Sequence, residues 1–198
     1  VFVMATYHPA ACLPGREGRR ELKLPKFRVD IKSFFHLVHH GGIRVEEESN
    51  YRAVTTVDKF NELLDDLKKC DDIVSFDLET TCLDNHEMYR DTGKVVSLSL
   101  GLSTGQWVIP LNHPKRPIFS SYKSQKLIID MLTDALKSKK LITQNGKFDC
   151  LWLLVKYGVL WDIHFDTMLA HYMINENEPH DLTYLANLYF NAPSYEIP

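Results

Sequence analysis

The stretch Ile73-Val74-Ser75-Phe76-Asp77-Leu78-Glu79 decides the fold. Ile73–Leu78 reads as a strand: Ile, Val and Phe favour the pleated, half-buried environment of a sheet, and the run ends in carboxylates. Upstream, Asp58–Lys69 places Phe60, Leu63, Leu64 and Leu67 on one face of a helix. Downstream, Val95–Leu102 (VVSLSLGL) alternates apolar residues with serine, as a half-buried strand does. Gln106–Pro110 (QWVIP) follows through a turn at Gly105 as the next strand. Ser124–Ser138 carries Leu127, Ile128, Met131, Leu132, Ala135 and Leu136 at helical spacing. Leu141–Gln144 (LITQ) is a short strand, and Lys147–Tyr157 a helix that Gly158 stops. Phe165–Asn175 reads as a further helix with Asp166 near its start. His180-Asp181 opens a last one with Leu182, Leu185 and Leu188 inward. This order predicts an α/β sheet with an antiparallel meander first and parallel crossovers afterwards.

Before residue 50 the pattern changes. Val1–Thr6 reads as a buried strand, and His8-Pro9 as a turn. Pro14–Arg28 is a charged, Gly- and Pro-bearing loop. Asp30–Val38 has helical spacing at Ile31, Phe34, Phe35 and Val38, with Asp30 placed as N-cap and Gly41-Gly42 as the stop. The polar run Glu46–Asn50 marks a boundary. The reading therefore divides the chain into residues 1–50 and a main domain over 51–198.

The 198 residues carry a formal charge of −3, with 44% hydrophobic and 25% charged residues. That balance supports a packed core and argues against a strongly basic nucleic-acid clamp. It leaves room for an enzyme that meets nucleic acid through bound cations, whose charge is local. Cys12, Cys70, Cys82 and Cys150 have no zinc-like spacing and read as reduced thiols of a cytoplasmic protein (host cytoplasm if viral). No run approaches the about 18 apolar residues of a membrane span, and no signal-peptide order is present. The start at Val1, inside an apolar strand, reads as the edge of a longer protein.

Three carboxylate segments carry chemistry. Residues two apart on a strand share a face, so Asp77 and Glu79 stand side by side. Their repulsion is relieved by a divalent cation; the bland alternative is a solvated strand end. Asn145-Gly146-Lys147-Phe148-Asp149 follows LITQ and opens a helix, so Asp149 falls about one turn in. It either points back over the strand end or is merely a solvated helical residue behind an Asn145 N-cap. Asp166, in Phe165-Asp166-Thr167, is read as a helix cap rather than a site carboxylate. His39-His40 and His171 lack metal-like spacing and read as surface or core residues, and His180 as part of a helix start.

Taken together, FDLETT, QNGKFD, FDTMLAHYMIN and HDLTYLANLYF, in this order from Ile73 to Ile197, resemble the 3′→5′ exonuclease domain of family A (Pol I-like) DNA polymerases. The resemblance implies a ribonuclease H-like (DEDD exonuclease) fold: a mixed five-stranded sheet with its first three strands antiparallel and with flanking helices. It implies proofreading hydrolysis of 3′-terminal nucleotides from single-stranded or frayed DNA ends. Two Mg²⁺ or Mn²⁺ ions about 3.5–4 Å apart would do this chemistry. Asp77 would bridge the ions, Glu79 would hold the one on the water side, and Asp149 the other. Leu83 would wedge against the terminal base, the Thr80 backbone would meet the terminal 3′-OH, and Asn145 would hold the loop or touch the strand. A polymerase domain is expected in the parent chain. The family's third motif, a tyrosine with a carboxylate four residues on, does not follow Tyr195-Glu196, so the chain reads as truncated before it. The alternative is a catalytically inactive exonuclease fold that positions DNA or bridges domains, and a third option is a stand-alone RNA 3′ exonuclease.

The start VFVMATYHPAACL resembles the last strand and His-Pro motif of uracil-DNA glycosylases, with His8 at the motif histidine. Residues 1–50 would then be the tail of a glycosylase-like domain plus linker, as in some viral polymerases, and the source a phage. No glycosylase activity is expected of it.

Overall fold

A computed structural model describes residues 28, 31, 35, 50–83, 86–114, 119 and 121–190. Within the N-terminal piece, Arg28, Ile31 and Phe35 are helical. The strand Val1–Thr6, the His8-Pro9 turn, the Pro14–Arg28 loop apart from Arg28, the rest of the helix Asp30–Val38, His39-His40 and Glu46–Ser49 lie outside the described residues, as does Tyr195-Glu196. The chain forms two compact units, one over residues 48–167 and one from 1–47 with 168–198.

The first unit is built on a six-stranded sheet of order β1-β4-β3-β2-β5-β6. Its strands are β1 (Tyr51–Ala53), β2 (Ile73–Thr80), β3 (Val95–Leu102), β4 (Gly105–Pro110), β5 (Lys140–Thr143) and β6 (Ile163–Asp166). β2, β3 and β4 form the expected antiparallel meander. β5 runs parallel to β2 and β6 parallel to β5. The resemblance implied five strands; the sixth is the three-residue edge strand β1, parallel to β4. Three residues are too few to show periodicity, which is why Tyr51–Ala53 escaped the sequence reading.

Three helices belong to this unit: α1 (Val57–Lys69), α2 (Tyr122–Leu136) and α3 (Gly146–Tyr157). α1 starts where the Thr56 hydroxyl accepts from the Lys59 amide (3.2 Å), a side-chain N-cap. It buries Phe60, Leu63 and Leu67. α2 starts in the same way at Ser121 and buries Ile128, Ile129, Leu132 and Leu136, while Leu127 faces solvent. α3 ends at Gly158, whose φ of 67° is left-handed backbone that glycine adopts without strain. The core joins these helices to Val74, Phe76, Leu78, Leu98, Leu100, Trp107 and Ile109 from the sheet. Phe76 meets Trp161 edge to face at 5.0 Å.

One segment differs from the expectation. The pattern predicts a helix over Phe165–Asn175, but Phe165 and Asp166 finish β6, and the helix α4 runs from Thr167 to Ile174. Ile163 and Phe165 pair with Leu141 and Ile142 of β5. Tertiary pairing overrides the helical pattern there, because a four-residue strand has too little length to declare itself.

In the second unit, α5 spans Leu182–Phe190. Asp181 accepts from the Tyr184 amide (2.8 Å) and caps it. Leu185 is buried as expected, but Leu182 is exposed rather than inward because it occupies the first position of the helix. His171 is a core residue: its Nδ1 lies 2.7 Å from Nδ1 of His180, so one ring donates and the other accepts. Glu178 accepts from the Tyr184 hydroxyl (3.1 Å) and pairs with Arg28 (3.3 Å).

Cys70, Cys82 and Cys150 are outside any disulfide. Among the described residues no helix is long and apolar enough to cross a membrane.

Candidate active site

The strand order fixes where a site can form. The chain runs β2, β3, β4 to one side of β2 and then crosses through α2 to β5 on the other side. β2 and β5 are parallel neighbours, so their carboxyl ends lie at a point where the connectivity reverses. Open α/β sheets bind ligands in the crevice at such a point.

β2 delivers two carboxylates there. Its burial alternates, with Val74, Phe76 and Leu78 inward and Ile73, Ser75, Asp77 and Glu79 outward. Asp77 pairs with Ser99 and Glu79 with Ser97 across the antiparallel ladder. The register then shifts, from Glu79–Ser97 to Thr80–Val95, leaving Val96 as an extra residue. A bulge of this kind bends the strand and re-aims the side chains at its end. The serines of VVSLSLGL thus have a second use: beside Asp77 and Glu79 they keep the sheet surface small and polar.

The third carboxylate arrives from α3. β5 pairs with β2 only from Ile73–Lys140 to Ser75–Ile142. Beyond Ser75 the Leu78 amide has no strand partner on that side. Asp149 supplies the acceptor: its Oδ1 takes the Leu78 N–H at 3.1 Å, from a side chain only 3% exposed. Leu78 lies between Asp77 and Glu79, so this bond sets Asp149 against the pair. Gly146 makes the approach possible. A Cβ there would lie 2.1 Å from Thr143 Cγ2 and 2.6 Å from Ile163 Cδ1.

Asp166 ends β6 beside this turn. Its carboxylate accepts from the Asn145 amide (3.1 Å) and the Gly146 amide (2.8 Å) at the start of α3. Asn145 occupies the N-cap position in left-handed backbone (φ 58°, ψ 39°), and its side chain makes no cap hydrogen bond. The structural role expected of Asp166 thus includes the start of α3, a helix some twenty residues earlier in the chain. The usable signal was the strand-like Ile163-His164-Phe165 before it.

Electrostatics mark the cluster. Burial, then the charge of Asp77, push the Asp149 carboxyl up to about 7, and Asp166 adds a smaller push. The Leu78 amide opposes the shift by bonding to the ionised form. Asp77 is also held above the ordinary carboxylate range, by desolvation first and by Glu79 second. By surface area Asp77 is an exposed residue, so its shift is the more strongly screened. Among the described residues, no Lys or Arg forms an ion pair with Asp77, Glu79 or Asp149.

Crowded carboxylates without a basic partner are the donor set of a hard divalent cation such as Mg²⁺ or Mn²⁺. Among the described residues no three such side chains already converge as a cage. The donors fit in kind, and cation binding would have to draw them together.

Of the remaining expected residues, Thr80 donates its hydroxyl to the Cys82 carbonyl (2.7 Å) and pairs with Val95 at the end of the β2–β3 ladder. Leu83 is 86% exposed. Asn145 is exposed, and its amide is held by the Asp166 carboxylate.

Residues 51–197 match the family model for the 3′-5′ exonuclease attached to A-type DNA polymerases. The chain belongs to this exonuclease family. DNA polymerase I of Borreliella burgdorferi is 31% identical to the exonuclease chain over 147 residues, covering 72% of the chain and 15% of that polymerase. DNA polymerase I of Synechocystis sp. is 31% identical over 157 residues, again covering 15% of the relative. The chain thus spans a small part of the curated relatives it matches. Among solved structures, the Aedes aegypti Nibbler EXO domain superposes with a TM-score of 0.55 at 14% identity, covering 76% of this chain and 72% of that one. The catalytic core of RRP6 from Trypanosoma brucei gives 0.54 at 16% identity, covering 73% of this chain and 36% of that one. RNase D of Escherichia coli gives 0.51 at 17% identity, covering 72% and 34%. At such identities these likenesses show the fold, which is the expected ribonuclease H-like one.

Proposed function

We propose that this exonuclease domain is part of a longer DNA polymerase I-like protein and removes 3′-terminal nucleotides from frayed or single-stranded DNA, a proofreading reaction. One observation carries the reading. Asp149 is bonded to the amide between Asp77 and Glu79, so three carboxylates from two elements share the carboxyl end of β2. DNA is favoured over RNA by the polymerase relatives, which are sequence relatives; the RNA-acting proteins are likenesses of fold alone.

Asp77, Glu79 and Asp149 would hold two Mg²⁺ or Mn²⁺ ions. Bound there, such ions supply an activated water and neutralise charge on the phosphodiester being cleaved. The protein residues do the rest. Asp77 and Glu79, fixed by the ladder, present carboxylate oxygens on one face. Asp149 would release its proton to solvent when a cation is held there, since an opposite charge favours the ionised form. Leu83 offers an apolar surface on which a terminal base stacks without regard to sequence. The Thr80 backbone, at the end of β2, and Asn145, at the start of α3, would contact the terminal nucleotide. A mispaired end frays more often and reaches the carboxylates more often. The polymerase partner domain, the glycosylase-like tail over residues 1–50 and a phage source belong to the same reading and rest on sequence resemblance.

The test is release of nucleotides from 3′-labelled single-stranded DNA with Mg²⁺ or Mn²⁺, comparing the chain with Asp77→Ala. Metal-dependent release that the variant loses supports the nuclease. Equal release from both proteins, or none from either, refutes it for this chain and turns attention to the scaffold alternative.

A further inference from the structure

We propose that Asp166 is a positioning residue: its carboxylate, clamped on the Asn145 and Gly146 amides, holds the left-handed turn that aims Asp149 at the Leu78 amide. The proposal rests on the nuclease reading for its catalytic consequence and on geometry alone for its structural one.

The first amides of a helix have no partner within it and need acceptors from elsewhere. α3 gets none from its own N-cap, because the Asn145 side chain makes no cap bond. Asn145 also carries the only non-glycine positive φ among the described residues. Left-handed backbone at a residue with a Cβ persists only where its surroundings over-determine it. Here the surroundings come from β6 and the residue after it. Asp166 takes both amides, and the Thr167 hydroxyl donates to the Thr143 carbonyl (3.2 Å). Gly146 meanwhile fits against Thr143 and Ile163 with no room for a side chain.

One turn further on, Asp149 enters the sheet, and its hydrogen bond is the tie between α3 and the carboxylate-bearing end of β2. If the turn at Asn145 relaxes, the first turn of α3 moves and Asp149 moves with it. Misplacement of a reacting group by about 1 Å can cost a hundredfold in rate. Asp166 would therefore govern turnover without touching the substrate.

Amide hydrogen exchange and nucleotide release on the 198-residue chain test this, with the variants Asp166→Ala and Asp166→Asn. Exchange is measured without metal, and the Leu98 amide in the same sheet serves as the control for general loosening. The expected result is exchange about tenfold faster at Gly146 and also at Leu78, with Leu98 unchanged. Asp166→Asn, which keeps one acceptor oxygen, should fall between wild type and Asp166→Ala. Release should drop in kcat by about ten- to a hundredfold, with KM little moved. Faster exchange at Gly146 with Leu78 unmoved would overturn the proposal, since Asp166 would then be only a local cap. A rise in KM with kcat intact would overturn it equally. If wild type releases no nucleotide, the nuclease reading fails, and the Leu78 exchange rate still decides whether Asp166 positions Asp149.

Discussion

Replacing Asp149 by Asn should remove a pH dependence from the stability of the metal-free chain. Asp149 is buried, and its carboxyl titrates at about 7 in the folded state. In the unfolded chain an aspartate titrates near about 3.9. A folded pKa above the unfolded one means that the native state binds the proton more tightly. The resulting stability is fully present below about pH 4 and is lost as pH rises through about 7. Between pH 5 and pH 7 the loss amounts to about 2 kcal/mol, since most of the folded carboxyl is protonated at the first pH and half of it at the second. For a chain of this size that is about 4–8 °C in Tm. The assay is thermal unfolding in EDTA at pH 5, 6, 7 and 8, for wild type and Asp149→Asn. Wild type should lose stability across the window more steeply than the variant by that amount. Saturating Mn²⁺ should shrink the difference, because it favours the ionised form. Parallel pH profiles for the two proteins would refute the argument, since the buried carboxyl would then titrate like an exposed one.

Three further outcomes follow from the same geometry. Asp77→Asn removes the second cause of the Asp149 shift, so the Asp149 carboxyl, followed by carbon NMR, should titrate at a lower pH; an unmoved titration would show that the two groups do not interact. Gly146→Ala places a methyl 2.1 Å from Thr143 Cγ2 and should destabilise by about 1–3 kcal/mol in a denaturant melt. Leu83→Ala, at a side chain exposed over 86% of its surface, should change stability by less than about 0.5 kcal/mol while weakening capture of DNA ends, read as a higher KM for release.

Much of this was legible in the sequence because the long elements obey simple periods. Phe60, Leu63 and Leu67 mark the buried face of α1, and the leucines of VVSLSLGL the buried face of β3. Asp77 and Glu79 could be placed on one face because strand alternation is local. Bringing Asp149 to them could not be read from spacing alone. It depends on β5 leaving the ladder after Ile142, which frees the Leu78 amide, and strand register is a tertiary property. Asp166 was harder still. Its partners lie about twenty residues back in the chain, and a cap supplied by the adjoining strand leaves no mark in the sequence that follows it. The edge strand Tyr51–Ala53 and the four residues of β6 were missed because short strands carry little periodic signal.

The bond from Asp149 ends on a main-chain amide, and that bears on how such a domain can drift through evolution. Any residue except proline presents the same N–H at position 78, so side-chain substitutions there answer to the core alone and leave the tie untouched. Position 149 has no such latitude. Divergent descendants of this chain should therefore vary freely in apolar identity at 78 while excluding proline, and should change 149 only when the chemistry at that end of the sheet is abandoned.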